Sequence, residues 1–419
     1  MLEDIRIVEL ASGVAGPMAA LRLGDLGAEV IKVEEAQGDW MRGAAPVMAD
    51  GCSAAFFALN RGKRALALGR RPALCASLLL RLLAKADVFI TDRSEAALRE
   101  LGLGPALVEN WAENPGLIVA DISVWGRRGP MAERPGSELT AQAMAGYTRY
   151  LGTPQEAPRR LGADVAGAGA AVFTIHAVLA ALLARRRGNG GQRVSTSLLN
   201  ALISMKSIQL AAQSDPDQYE GPRVGGPHDP PERGWRTADR PIFFAFGGSV
   251  GAEGRPGWSS FVEEIGMGHL LGDARLDRNG RNSTGHGSLV HEMREIYEKQ
   301  FANYMAEDLV TRIRARGASA SIYMRADETL AHAQTQALDL IREAPAGDTT
   351  VRVRAFPARF SAAEFKLRGH APALGQHGLL IAQEAGLSPA EIAQLRNRGG
   401  LTIPDNKAEA KAEPARRAR

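Results

Sequence analysis

The segment Ile5–Glu34, IRIVELASGVAGPMAALRLGDLGAEVIKVE, decides the fold. Ile5–Leu10 is rich in β-branched side chains and reads as a buried strand. Gly13 and Gly16 mark a turn, and Pro17 fits the first turn of a helix, where its missing N–H costs nothing. Ala28–Glu34 (AEVIKVE) is a second strand, so the segment predicts a β–α–β unit. The pattern continues outward. Arg64–Leu68 (RALAL), Asp87–Thr91 (DVFIT) and Leu117–Ser123 (LIVADIS) read as strands, with apolar helices at Ala73–Ala86 and Ala96–Leu103 between them. Strands alternating with helices predict an α/β fold with a doubly wound, parallel, Rossmann-like sheet.

A second decisive stretch is Arg159–Gln192, RRLGADVAGAGAAVFTIHAVLAALLARRRGNGGQ. Its 17 residues Ala168–Ala184 carry no formal charge, and three arginines and a glycine end the run, as a helix C-terminus prefers. Small side chains and His176 favour a core helix over a membrane span, which needs about 20 strongly apolar residues. Asp164 stands at the start as a predicted N-cap. Gly162, Gly167 and Gly169 leave room around its carboxylate, and a helix N-terminus offers N–H donors to an anion.

The 419 residues suffice for two domains. The expected boundaries are 1–213 for the first part of a large domain, 214–234 for a Pro/Gly/Asp-rich linker or active-site loop, and 235–340 for a smaller α+β domain. Residues 341–405 then return to the large domain, with Thr349–Ser361 (TTVRVRAFPARFS) as two short strands and Ser388–Gly399 as a capped helix. Residues 406–419 are a low-complexity, disordered tail. That tail supplies three of the net four positive charges, leaving a nearly neutral body with no basic patch for nucleic acid. Two cysteines, Cys52 and Cys75, and an N-terminus without a signal-peptide pattern predict a cytoplasmic protein. The eight histidines have no metal-ligand spacing, so no metal is expected. Glu34 ends the second strand where a ribose-binding acid stands in dinucleotide folds, but the G-x-G-x-x-G spacing is missing.

Taken in order, SGVAGPMAALRLGDLGAEVIKVE, GDWMRG, LNRGKRALAL, WGRRGPMAERPGSELTAQAMAG, LGADVAG, LLARRRGNGGQ, RGWRTAD, APALGQH and LSPAEIAQLRNRG resemble the class III (family III) CoA-transferases. That family includes formyl-CoA and carnitine CoA-transferases and the α-methylacyl-CoA racemases. The resemblance implies a large domain built from both chain ends, an inserted small domain, an interlocked homodimer, and acyl-CoA plus a carboxylic acid as substrates. Coenzyme A would be substrate, with no permanently bound cofactor. Asp164 matches the family's nucleophilic carboxylate, and Glu138 an active-site acid of the formyl-CoA enzyme.

Val14 and Ala15 match a segment lining the thioester, with Val14 replacing a Gln. Lys63, Arg64, Leu68 and Arg71 match a segment touching the CoA nucleotide. Asp92, Arg93 and Ser94 match another CoA-contacting turn, and Arg99 lies beside it. Gly225, Gly226 and His228 fall where that enzyme has a mobile substrate loop. Glu35 and Glu100 depart from the pattern by replacing CoA-contacting arginines. Two alternatives remain open. One is racemase-like proton transfer, against which stands Ser137 where racemases carry a histidine. The other is a non-catalytic subunit of a heteromeric CoA-transferase.

Overall fold

The structure is a computed structural model, and it describes residues 1–48, 51–107, 111–148, 157–212, 214, 234–246, 256–272, 288–346, 349–363 and 367–404. The chain forms two compact units. One holds residues 1–147, 160–205 and 334–419, the other 148–159 and 206–333.

The first unit is built on a seven-stranded sheet. Its strands are β1 (Arg6–Leu10), β2 (Glu29–Glu34), β3 (Arg64–Leu68), β4 (Val88–Thr91), β5 (Ile118–Ser123) and β6 (Arg193–Ser197), with the short Leu401–Thr402 strand added at one edge. The order is Leu401–Thr402, β3, β2, β1, β4, β5, β6. All pairs are parallel except the edge strand, which runs antiparallel to β3. The α/β, mostly parallel expectation therefore holds.

Parallel strands covered on both faces read as continuous apolar runs. Here the two faces separate by residue parity. Val8, Leu10, Ile31, Val33, Leu66 and Leu68 pack with Ala76–Leu83 and the C-terminal helices Gly378–Glu384 and Pro389–Asn397. Ile7, Val30, Val88, Ile90, Ile118 and Ala120 pack on the other side. There they meet α1 (Ala15–Asp25) and the long helix α2 (Val165–Arg186). Among the described residues α2 is the one helix long and apolar enough to cross a membrane by length and composition. Ala170, Ala171, Thr174, Val178, Ala181 and Leu182 nonetheless bury one of its faces in the unit.

Residues 349–361 differ from expectation. Thr349–Arg354 is a strand, but it forms an antiparallel hairpin with Ile341–Ala346, and Ala355–Ser361 is not a strand. The IREAPA segment mixes charge, alanine and proline, so its sequence carries little strand signal.

The second unit pairs Ile242–Ala245 antiparallel with Ser319–Ile322 and packs an aromatic core. In it the Trp258 indole donates to the Tyr297 hydroxyl at 2.8 Å. The expected 214–234 loop, with Gly225, Gly226 and His228, lies almost wholly outside the described residues, as does the 406–419 tail.

Candidate active site

In an open α/β sheet a ligand crevice opens where neighbouring strands lead to helices on opposite faces, beyond their carboxyl ends. β1 is flanked by β2 on one side and β4 on the other, which makes the ends of β1 and β4 that point. Ser12, just after β1, donates its backbone N–H to Asp92 Oδ2, just after β4, at 2.8 Å. The Ser12 hydroxyl lies 3.3 Å from the same oxygen. Burial pushes the Asp92 carboxyl above its ordinary range, against the pull of Arg93 and Ser12. Asp92 Oδ1 faces Arg93 Nε at 3.7 Å, and neither atom has a hydrogen-bond partner.

Val14 is the N-cap of α1, and Ala15 its first residue. A Cβ added to Gly167 would stand 3.0 Å from Val14 Cβ and 3.5 Å from Glu138 Oε2. A residue without a side chain is thus what lets the starts of α1 and α2 approach. The structure brings Val14 and Glu138 together at the Asp164 end of α2.

The capping of α2 differs from expectation. Asp164 occupies the N-cap position, with φ −82° and ψ 65°, but its side chain makes no capping bond. Arg160 Nη2 instead donates to Asp164 Oδ1 at 2.7 Å, and the carboxylate keeps 42% exposure. Glu138 does the capping. Its Oε1 accepts from Ala166 N and its Oε2 from Gly167 N, each at 2.8 Å. The Val165 N–H is also used, donating to Ala163 O. The expectation that the first N–H groups stand open for an oxyanion is therefore corrected, because a carboxylate from another helix already neutralises them. Glu138 is equally not a solvated loop acid. It opens the helix α3 (Glu138–Met144) and places its charge where a helix dipole favours it.

Ser137 caps α3 in a reciprocal box with Thr140, accepting from Thr140 N while Thr140 Oγ1 accepts from Ser137 N.

The residues expected to meet the CoA nucleotide lie in different settings. Lys63 is buried, not a surface cation. Its ammonium bonds Glu9 Oε2 at 2.6 Å, Pro17 O at 2.9 Å and Asn60 Oδ1 at 2.8 Å. Burial lowers its pKa to about 8, with Glu9 opposing. Leu68 is also fully buried in the sheet core, so its side chain is not offered to a ligand. Arg64 bridges Glu29 and Glu384. Arg71 is exposed, and its backbone N–H donates to Gly399 O. Ser94 caps Glu95–Glu100 by accepting from Ala97 N, and Arg99 is exposed beside Glu95. Glu35 pairs with Arg93 at 3.2 Å, so the two residues cancel each other's charge. Glu100 is exposed.

Sequence reading missed the charged core beneath the β1–α1 turn. Glu9 and Lys32 are register neighbours on β1 and β2, and they pair at 3.0 Å with both side chains fully buried. Burial works to lower the Lys32 pKa, yet Glu9 and Asp39 together hold it above the ordinary value. Lys32 also donates to Ala11 O at 2.9 Å and Asp39 Oδ2 at 3.0 Å. Asp39 Oδ1 accepts from Gly13 N at 3.2 Å, so the network holds the turn that leads to Val14. Removing one member would strand a buried charge, at a cost of about 3–5 kcal/mol. Glu34 is explained in the same way, held by Arg42 and Asp39 N rather than presented to a ribose. Among the described residues no cluster of three or more His, Cys, Asp or Glu is arranged to hold a metal ion.

The sequence model described as CoA-transferase family III matches residues 2–378. A succinate–glutarate CoA-transferase of Agrobacterium fabrum is 30% identical over 91% of this chain and 95% of its own length. A "Probable fatty acyl-CoA transferase" of Mycobacterium tuberculosis is 28% identical over 91% and 97%. The crystal structure of a CaiB/BaiF family protein from Brucella suis superposes with a TM-score of 0.78 at 27% identity, covering 92% of this chain and 99% of that one. A family match over residues 2–378, with the same fold in a solved relative, leads to one conclusion: this chain belongs to CoA-transferase family III.

Proposed function

We propose that the protein moves CoA reversibly from an acyl-CoA donor to a free carboxylic acid through covalent intermediates on Asp164. The observation that carries this reading is the half-exposed Asp164 carboxylate at the head of α2, paired with Arg160 and three residues before Gly167, which meets Val14 and Glu138. An aspartate in such a place is suited to nucleophilic attack.

In the first step an Asp164 oxygen attacks the thioester carbonyl, the C–S bond breaks, and a mixed anhydride and CoA thiolate result. The thiolate attacks the aspartyl carbonyl, releasing the donor acid and forming an aspartyl–CoA thioester. The acceptor carboxylate then attacks that carbonyl and expels the thiolate, giving a second anhydride. Attack of the thiolate on the acceptor's acyl carbonyl yields the new acyl-CoA and restores the Asp164 carboxylate. The crevice at the ends of β1 and β4, with Val14, Ala15 and Asp92–Ser94, is where the CoA moiety is read to lie. The named activity of the Agrobacterium relative makes succinyl-CoA and glutarate the first pair to assay. Ser137 supports transfer over racemisation, since its hydroxyl is committed to a helix cap.

We read the assembly as a homodimer. Val172, His176, Ala180 and Leu183 form an exposed stripe along α2, with Val172 at 42% and Leu183 at 51% exposure. A second copy of the chain would cover such a stripe. The cytoplasm remains the expected compartment.

The test is interception. Hydroxylamine added during turnover should inactivate the enzyme and leave a hydroxamate mass on the peptide containing Asp164. Turnover that proceeds unlabelled, with no adduct on that peptide, would exclude the aspartyl route.

A further inference from the structure

Gln142 lies four residues after Glu138 on α3, so the two side chains share one helix face. It is fully buried. Its amide reaches three places at once. Nε2 donates to Glu138 Oε1 at 2.8 Å and to Ala163 O at 3.3 Å, and Oε1 accepts from Leu161 N at 3.2 Å. Glu138 in turn holds the first two free N–H groups of α2, while Leu161 and Ala163 belong to the strip leading into Asp164. One amide therefore fixes both the acid that caps α2 and the backbone that delivers the Asp164 carboxylate.

We infer that Gln142 is a positioning residue for CoA transfer, holding Glu138 and the Leu161–Asp164 strip in the register that aims Asp164. This rests on Asp164 being the nucleophile. The side chain itself is buried behind Glu138 and touches no reacting atom. Its amide is the fitting group for the place. A donor is required towards Glu138 and Ala163 O, and an acceptor towards Leu161 N. Leucine has the volume and neither function. Glutamate has the volume and the acceptor, and it regains a donor only when protonated. Two carboxyl groups in contact share a proton at a pH well above the ordinary carboxylate range.

The experiment compares wild type, Gln142→Leu and Gln142→Glu, each checked for thermal melting and for CoA binding, with kcat and KM measured from pH 5.5 to 8.5. Gln142→Leu should lose about 10- to 100-fold in kcat while KM for acyl-CoA stays within about threefold, as expected when the reacting group is misplaced without loss of the binding surface. Gln142→Glu should be similarly impaired at pH 8.5, and its rate relative to wild type should recover as pH falls and the shared proton restores the donor. A merely structural residue would not produce that acid-side rescue. Near wild-type kcat in both variants, beside an inactive Asp164→Asn, would overturn the positioning role and leave the nucleophile standing. Activity in Asp164→Asn would overturn both readings. Loss of folding in both Gln142 variants, or a Gln142→Glu rate ratio flat with pH, would place Gln142 in the fold alone and overturn the inference.

Discussion

Glu138 Oε2 lies 2.8 Å from the Gly167 amide nitrogen, a bond that joins two helices across 29 residues of sequence. Together with the bond to Ala166, it uses both carboxylate oxygens on adjacent N–H groups. Glu138→Gln keeps the shape but leaves only one acceptor, so its NH2 must face one of the two donors. The expected outcome is a loss of about 1–3 kcal/mol in chemical denaturation, together with a fall in kcat of about 10-fold or more as the head of α2 shifts. Unchanged stability would show that the cap is replaceable.

Asp164→Ala and Asp164→Asn should abolish CoA transfer while CoA binding, measured by calorimetry, survives. Asparagine keeps the size and the exposure but cannot form the anhydride. Turnover near the wild-type rate in either variant would remove Asp164 from the mechanism.

A transferase confines its chemistry to carbonyl carbons. With Ser137 engaged with Thr140, no second base is provided at that position for an α-proton. A chiral 2-methylacyl-CoA incubated with enzyme in deuterated water should therefore show neither α-deuteration nor inversion by mass spectrometry and chiral chromatography. Rapid exchange would favour the racemase reading instead.

His377 gives a pH signature unrelated to catalysis. Its Nδ1 accepts from Ala65 N at 3.1 Å, which requires the neutral ring. Burial, aided by Arg64, lowers its pKa from 6.5 to about 4. The unfolded chain then binds more protons between those values, so this contribution is complete above pH 6.5 and is lost as pH falls towards 4. His377→Asn keeps an acceptor and cannot titrate in this range. Its stability should vary less with pH across that window than the wild type's, as read by denaturant midpoints.

The stripe on α2 predicts that the purified protein elutes as a dimer in size-exclusion chromatography with light scattering. Val172 and Leu183 lie eleven residues apart, about three helical turns, and so on one face. A Val172→Glu/Leu183→Glu double variant should shift the mass to the monomer. A wild-type monomer at micromolar concentration would exclude the reading.

The parallel sheet was legible because its strands are contiguous apolar runs between helices, a local signal. The Leu161–Gly167 and Gly136–Glu138 segments were legible as motifs for the same reason. What escaped was set by distant pairing. Lys32 carried no signal in the sequence and Lys63 was expected to meet the CoA nucleotide, yet both are buried on Glu9, which lies 23 and 54 residues away. No hydropathy pattern reports a charge neutralised across the sheet. The capping of α2 escaped likewise. Asp164 has the residue type and position of a cap, but the bond comes from Glu138, and only the packing of α3 against α2 determines which carboxylate wins.

The edge strand Leu401–Thr402 pairs with β3, whose partner residues were made more than 330 positions earlier. Behind it Gly400 O accepts from Gly69 N and from Cys75 Sγ, fastening this segment to the end of β3 and the helix that follows. During synthesis on the ribosome the β3 edge must therefore wait, uncovered, until Leu401 and Thr402 have emerged. A nascent or prematurely stopped chain ending before Leu401 presents that edge to any neighbouring strand, which is a template for aggregation. Leu401 and Thr402 thus act as a seal on that edge of the sheet.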